Sequence, residues 1–280
     1  MRDSILVVAY LAAILNAGAA CAEEPYWANI RTLSETAERD KDKRQDMVNY
    51  VTSLTPEQLI VAGRQCSREV EQQHQPRELW NGHAISLGFF YQFYPLRSGD
   101  TNVLGRLLDE IADTNQCAFW RGSLLMMLGN QRLGEASAFH AVDRLCPVLR
   151  DPRTAPYVSE RIPHAIGSLF AGCYQGQKGK AVSAEATNRL AKAVQTYVGT
   201  AFELLKRDDI PGQTQLAILG DLGGCYRRGL PATERVREGV ERALRDYQHY
   251  HHELWLPLAK YSREMKITNV EDVVTQIQGK

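Results

Sequence analysis

Apolar residues recur along most of the chain at intervals of three and four, the spacing that lines one face of an α-helix, and no run of alternating β-branched residues interrupts them. The pattern predicts an all-α protein. Residues 28–53 form a first helical region, in which the charged run ERDKDKRQD at 38–46 reads as a solvated helix face or a break between two helices. The sequence Ser53-Leu54-Thr55-Pro56-Glu57 is a start signal. Thr55 can cap the next helix, Pro56 is tolerated in its first turn, and the helix should run to about Gln73.

From residue 78 onward two kinds of helix alternate. Segments 79–94, 117–131, 157–174 and 213–227 are apolar and rich in small residues, and each precedes a turn and a more amphipathic helix, near 101–113, 135–150, 184–206 and 232–251. Each pair reads as a helical hairpin. In the last amphipathic segment Val236, Val240, Ala243, Leu244 and Tyr247 form the buried stripe, with Glu238–Arg242 and Glu241–Arg245 as four-apart ion pairs.

Three of the small-residue helices share a signature: Gly122-Ser123-Leu124, Gly167-Ser168-Leu169 and Gly220-Asp221-Leu222, the last two continuing into Gly172-Cys173-Tyr174 and Gly224-Cys225-Tyr226. Glycine and serine remove side-chain bulk and let neighbouring helices lie close, which compensates the ~1 kcal/mol that glycine costs inside a helix. The signatures are 45 and then 53 residues apart, and Ile85-Ser86-Leu87 lies 37 before the first. This resembles HEAT-like helical-hairpin repeat proteins, whose period is ~40–47 residues. The resemblance implies antiparallel hairpins stacked as a short α-solenoid-like array over 78–251, between N-terminal helices at 23–77 and a C-terminal helical segment at 252–280. A compact globular helical domain is the alternative.

Residues 1–22, MRDSILVVAYLAAILNAGAACA, have the layout of a secretory signal peptide: a basic residue, a short apolar run and a small-residue tail ending in Ala20-Cys21-Ala22. The expected mature chain starts at Glu23 and is periplasmic or secreted, without a membrane-spanning segment. A lipid anchor on Cys21 is the rival reading. Export leaves Cys66, Cys117, Cys146, Cys173 and Cys225, an odd number, where disulfides can form. The hairpin arrangement makes Cys117 and Cys146 the disulfide candidates.

Composition narrows the partners. With 33 Lys plus Arg against 33 Asp plus Glu the formal net charge is zero, which removes the usual reason to expect nucleic acid. Catalytic patterns are not found. The stretch GCYQGQKGK at 172–180 lacks P-loop spacing, no G-x-S-x-G or H-E-x-x-H occurs, and Asp109-Glu110 and Asp208-Asp209 lack histidines at metal-binding spacing. No catalytic residue, resident metal or cofactor is assigned. Two clusters remain. His249, His252 and Glu253 would share one face of a continuing helix, which makes a metal-assisted exported enzyme the alternative function. Phe89, Phe90, Tyr91, Phe93 and Tyr94 are too many aromatics for a single core-facing stripe and are the candidate partner-binding residues. Arg227-Arg228 reads as a solvated loop. The leading expectation is an exported, non-catalytic binding or scaffold protein that recognises a protein or peptide partner.

Overall fold

A computed structural model describes residues 26–40, 43–73, 101–129, 133–177 and 183–279. The protein is all-α, and the described residues contain no strand. The helices are α1 (Tyr26–Arg39), α2 (Arg44–Ser53), α3 (Pro56–Gln73), α4 (Thr101–Ala112), α5 (Ala118–Gly129), α6 (Glu135–Arg150), the single turn α7 (Pro156–Ser159), α8 (Arg161–Gln177), α9 (Ala184–Leu204), α10 (Gly212–Arg227), α11 (Thr233–Arg245), α12 (Trp255–Glu264) and α13 (Glu271–Gln278).

Local chemistry sets several of these boundaries. Thr55 and Gln58 form a reciprocal cap at the start of α3: the Gln58 amide donates to Thr55 Oγ1 at 3.3 Å, and the Thr55 amide donates to Gln58 Oε1 at 2.8 Å. At the end of α9 the buried Gln215 side chain donates to the carbonyls of Leu204, Leu205 and Arg207, satisfying acceptors that a helix terminus leaves open. Apolar spacing then decides which face turns inward. Leu104, Leu107, Leu108 and Ile111 bury one stripe of α4, while Val236, Val240, Ala243 and Leu244 bury one stripe of α11.

The helices neighbour one another in two successions. In one, α3 meets α5, α5 meets α8, α8 meets α10 and α10 meets α12; in the other, α4 meets α6, α6 meets α9, α9 meets α11 and α11 meets α13. The first succession holds the small-residue helices and the second the amphipathic ones. One contiguous cluster of buried residues, from Trp27 to Ile277, runs through both.

Glycine makes the first succession possible, through side chains seated on it. A Cβ at Gly63 of α3 would overlap the ring of Trp120 from α5, one at Gly122 of α5 would overlap the ring of Tyr157 from α7, and one at Gly223 of α10 would overlap the ring of Tyr261 from α12. Burying half of an aromatic side chain of 150–250 Å² yields roughly 2–3 kcal/mol at ~25 cal/mol per Å², more than the ~1 kcal/mol cost of the helical glycine. A true backbone approach occurs at Gly129, where an added Cβ would lie 3.3 Å from the Ala165 Cα and 3.6 Å from the Ser168 Cβ. The shared signature points to Gly220 and Gly224 in α10, yet both face open space. The residue that takes a ring is Gly223, because helical rotation turns Gly224 ~100° and Gly220 ~60° away from it.

These neighbours give a sharp stability test. Gly220→Ala and Gly224→Ala should each raise stability by about 0.5–1 kcal/mol, since helix propensity improves and nothing is displaced. Gly223→Ala should lower it by about 1–3 kcal/mol through displacement of Tyr261. Urea titration of the three variants checks the difference in sign.

Candidate functional site

Two adjoining concavities lie on the amphipathic side, beside α9 and α11. A cleft of about 560 Å³ is walled by Gln195, Val198, Gly199, Phe202 and Glu203 from α9, by Lys206 just beyond its end, and by Arg235, Gly239 and Arg242 from α11, and is closed by Asp246 and Tyr250. A second hollow of about 660 Å³ shares Lys206, Asp246 and Tyr250 with it and continues to Asp208, His249 and His251. Volumes of this order suit a small ligand or a few side chains of a peptide.

Glycine again creates the space. Gly199 has no neighbour within 4 Å of where a Cβ would stand, and the ring of Phe202 lies over Gly239. Buried Val198 and the Phe202 ring therefore form an apolar floor beneath a charged rim. On that rim Lys206 lies 3.7 Å from Asp246 and its ammonium sits 5.5 Å from the centroid of the Tyr250 ring. Arg150 reaches Glu203 at 3.5 Å. Burial, followed by the Asp246 charge, pushes the Tyr250 phenol up to about 12, so it stays protonated at neutral pH.

Comparison with known proteins finds no family model, no curated relative and no solved structure that matches this chain.

The sequence-derived candidates fall elsewhere. Phe89, Phe90, Tyr91, Phe93 and Tyr94 lie outside the described residues, as does Cys21. His249, His252 and Glu253 do not share a helix face, because α11 ends at Arg245. Single 3-10 turns at Tyr247–His249 and His252–Leu254 follow, separated by extended backbone at Tyr250 and His251. The break is held by Trp255, which donates from Nε1 to the Tyr250 carbonyl at 3.0 Å and meets Tyr247 edge-on at 4.8 Å. Glu253 instead lies by the first residue of α10, its Oε2 2.8 Å from where a Cβ of Gly212 would stand, so that it complements the helix dipole. Among the described residues no three His, Cys, Asp or Glu are placed to hold a metal ion.

The pairing expected of Cys117 and Cys146 is corrected: both are free thiols. α6 packs chiefly against α4, α8 and α9 instead of its hairpin partner α5. Cys117, at the start of α5, lies beside Ser67 and Glu71 of α3, whereas Cys146 lies close enough to Tyr197 of α9 to raise its pKa. Burial raises both thiols, that of Cys146 to about 11. Maleimide should label half-buried Cys117 first, and Cys146 and Cys225 only in denaturant; mass spectrometry of timed samples checks the order.

Asp221 replaces an aromatic in the run of side chains seated on glycines. Its carboxylate lies against Gly167 of α8 and accepts a hydrogen bond from the Tyr197 hydroxyl at 2.9 Å, while the Cys225 thiol stands 3.8 Å away. Arg228 donates to the Gly167 carbonyl at 3.1 Å and partly offsets the negative charge. Burial dominates and raises the Asp221 carboxyl to about 7. In the unfolded chain it titrates near 4. The folded state therefore binds the extra proton between those values: the group's stabilising contribution is full below ~4 and is lost as pH rises through about 7. The advantage of Asp221→Asn over the parent should grow from little at pH 4 to roughly 3–4 kcal/mol at pH 8.5, read as a widening gap in thermal midpoint. A gap that does not change with pH would refute this assignment.

Proposed function

We propose that this is an exported helical-repeat module that binds a protein or peptide partner through the cleft between α9 and α11. The observation that carries the reading is the opening left at Gly199 between consecutive amphipathic helices, with an apolar floor that includes the Phe202 ring seated on Gly239 and a charged rim. Such a surface can hold apolar side chains below and fix polar ones above. The α-solenoid description of the array is supported by the order in which helices meet within each succession, every described helix from α5 onward except the single turn α7 meeting a neighbour before or after it. Export is supported by the leader-like composition of residues 1–22. No helix among the described residues is long and apolar enough to cross a membrane.

The binding reading predicts position-dependent crosslinking in the native compartment. A photo-reactive residue at Gln195, on the cleft wall, should give one discrete adduct, whereas the same probe at exposed Asp143 of α6 should give none. Equal adducts from both positions, or none from Gln195, would defeat it. Intact mass of the purified extracytoplasmic protein should correspond to a chain beginning at Glu23.

A further inference from the structure

We infer that the cleft between α9 and α11 takes an acidic peptide segment, with a carboxylate on Arg242 and an adjacent apolar side chain on the floor formed by Phe202 and Val198. The inference rests on the peptide-binding reading above and specifies its ligand. It begins with which charges are already compensated. Glu203 is met by Arg150 at 3.5 Å and Asp246 by Lys206 at 3.7 Å, so neither acid of the cleft proper lacks a cation.

Arg242 differs. The four-apart arrangement with Glu238 does not form, because Arg235 reaches Glu238 from the other side at 3.3 Å. Arg242 makes only a long contact to the Glu238 backbone carbonyl, at 3.4 Å from Nε, and no carboxylate among the described residues lies within ion-pair distance of it. A guanidinium has five N–H donors, so its fork is available to an incoming carboxylate in a bidentate pairing.

Position makes this cation part of a binding site and distinguishes it from an ordinary solvated residue. Arg235, Gly239 and Arg242 are four and three residues apart and occupy one face of α11, the face that walls the cleft. The two arginines therefore stand ~10 Å apart along the helix axis, at 1.5 Å per residue, on either side of Gly239. Arg235 is already met by Glu238 at 3.3 Å, so the incoming carboxylate goes to Arg242. Between the two arginines the floor accepts an apolar side chain. A basic occupant would meet Arg235, Arg242 and Lys206 with no uncompensated acid to receive it.

The test uses immobilised hexapeptides that combine one phenylalanine with one to three glutamates at every spacing, each matched by a glutamine twin. They are probed with the full mature chain, and the strongest pair is titrated by fluorescence anisotropy in low and high salt. Glutamate peptides should bind at least tenfold more tightly than their twins and should weaken as salt rises. Arg242→Glu, at an exposed position, should lose tenfold or more with an unchanged circular-dichroism spectrum. Gly239→Ala should weaken binding separately, because its Cβ would drive the Phe202 ring off its seat and so deform the floor. Equal binding of glutamate and glutamine peptides, indifference to Arg242→Glu, or no binding at millimolar peptide would overturn the inference. Crosslinking from Gln195 without acidic preference would remove this ligand assignment and leave the module reading standing; failure of both removes both.

Discussion

The dominant constraint is the seating of a bulky side chain on a helical glycine of the preceding small-residue helix. Trp120 on Gly63, Tyr157 on Gly122 and Tyr261 on Gly223 each join elements distant in sequence. Because a methyl group at any of these glycines would occupy the space of the ring, the contact fixes the rotation of one helix against the next. Dispersion and apolar burial alone would permit several rotations; the socket permits one.

The same constraint explains where the protein departs from uniformity. Between α8 and α10 the seated residue is Asp221, and its polarity is met by Tyr197, Cys225 and Arg228. A carboxyl in that position ties the fit of two consecutive helices to its protonation state. Between α9 and α11 the spacing is set in another way: the Phe202 ring lies over Gly239, while Gly199 opposite remains open. That half-filled gap is the cleft. Packing necessity and ligand-binding capacity therefore arise from one device, complete on the small-residue side and incomplete on the amphipathic side.

Much of the fold was legible in the chain. The Thr55-Pro56 start, the buried stripe of Val236, Val240, Ala243 and Leu244, and the alternation of small-residue with amphipathic helices all follow from spacing and capping, which are local properties. The Glu241–Arg245 pair forms at 2.8 Å as its spacing implies. The expected Glu238–Arg242 pair does not, because Arg235 is also within one turn of Glu238 and spacing cannot rank the competitors. Extending the last amphipathic helix to residue 251 failed for a related reason. Its end is enforced by Trp255 returning to the Tyr250 carbonyl, a contact that exists only once the chain has turned.

The sequence by itself determined that the protein is helical, which face of each amphipathic helix is apolar, and that glycine serves close contact, since each depends on residues within a few turns of one another. Tertiary structure alone decided which glycine holds which side chain, that Cys146 faces Tyr197 instead of Cys117, and that Arg242 is left over a cleft without a carboxylate. Those outcomes depend on the rotation and neighbour order of helices far apart in the chain. Periodicity gives each helix a buried face but leaves open what that face will meet.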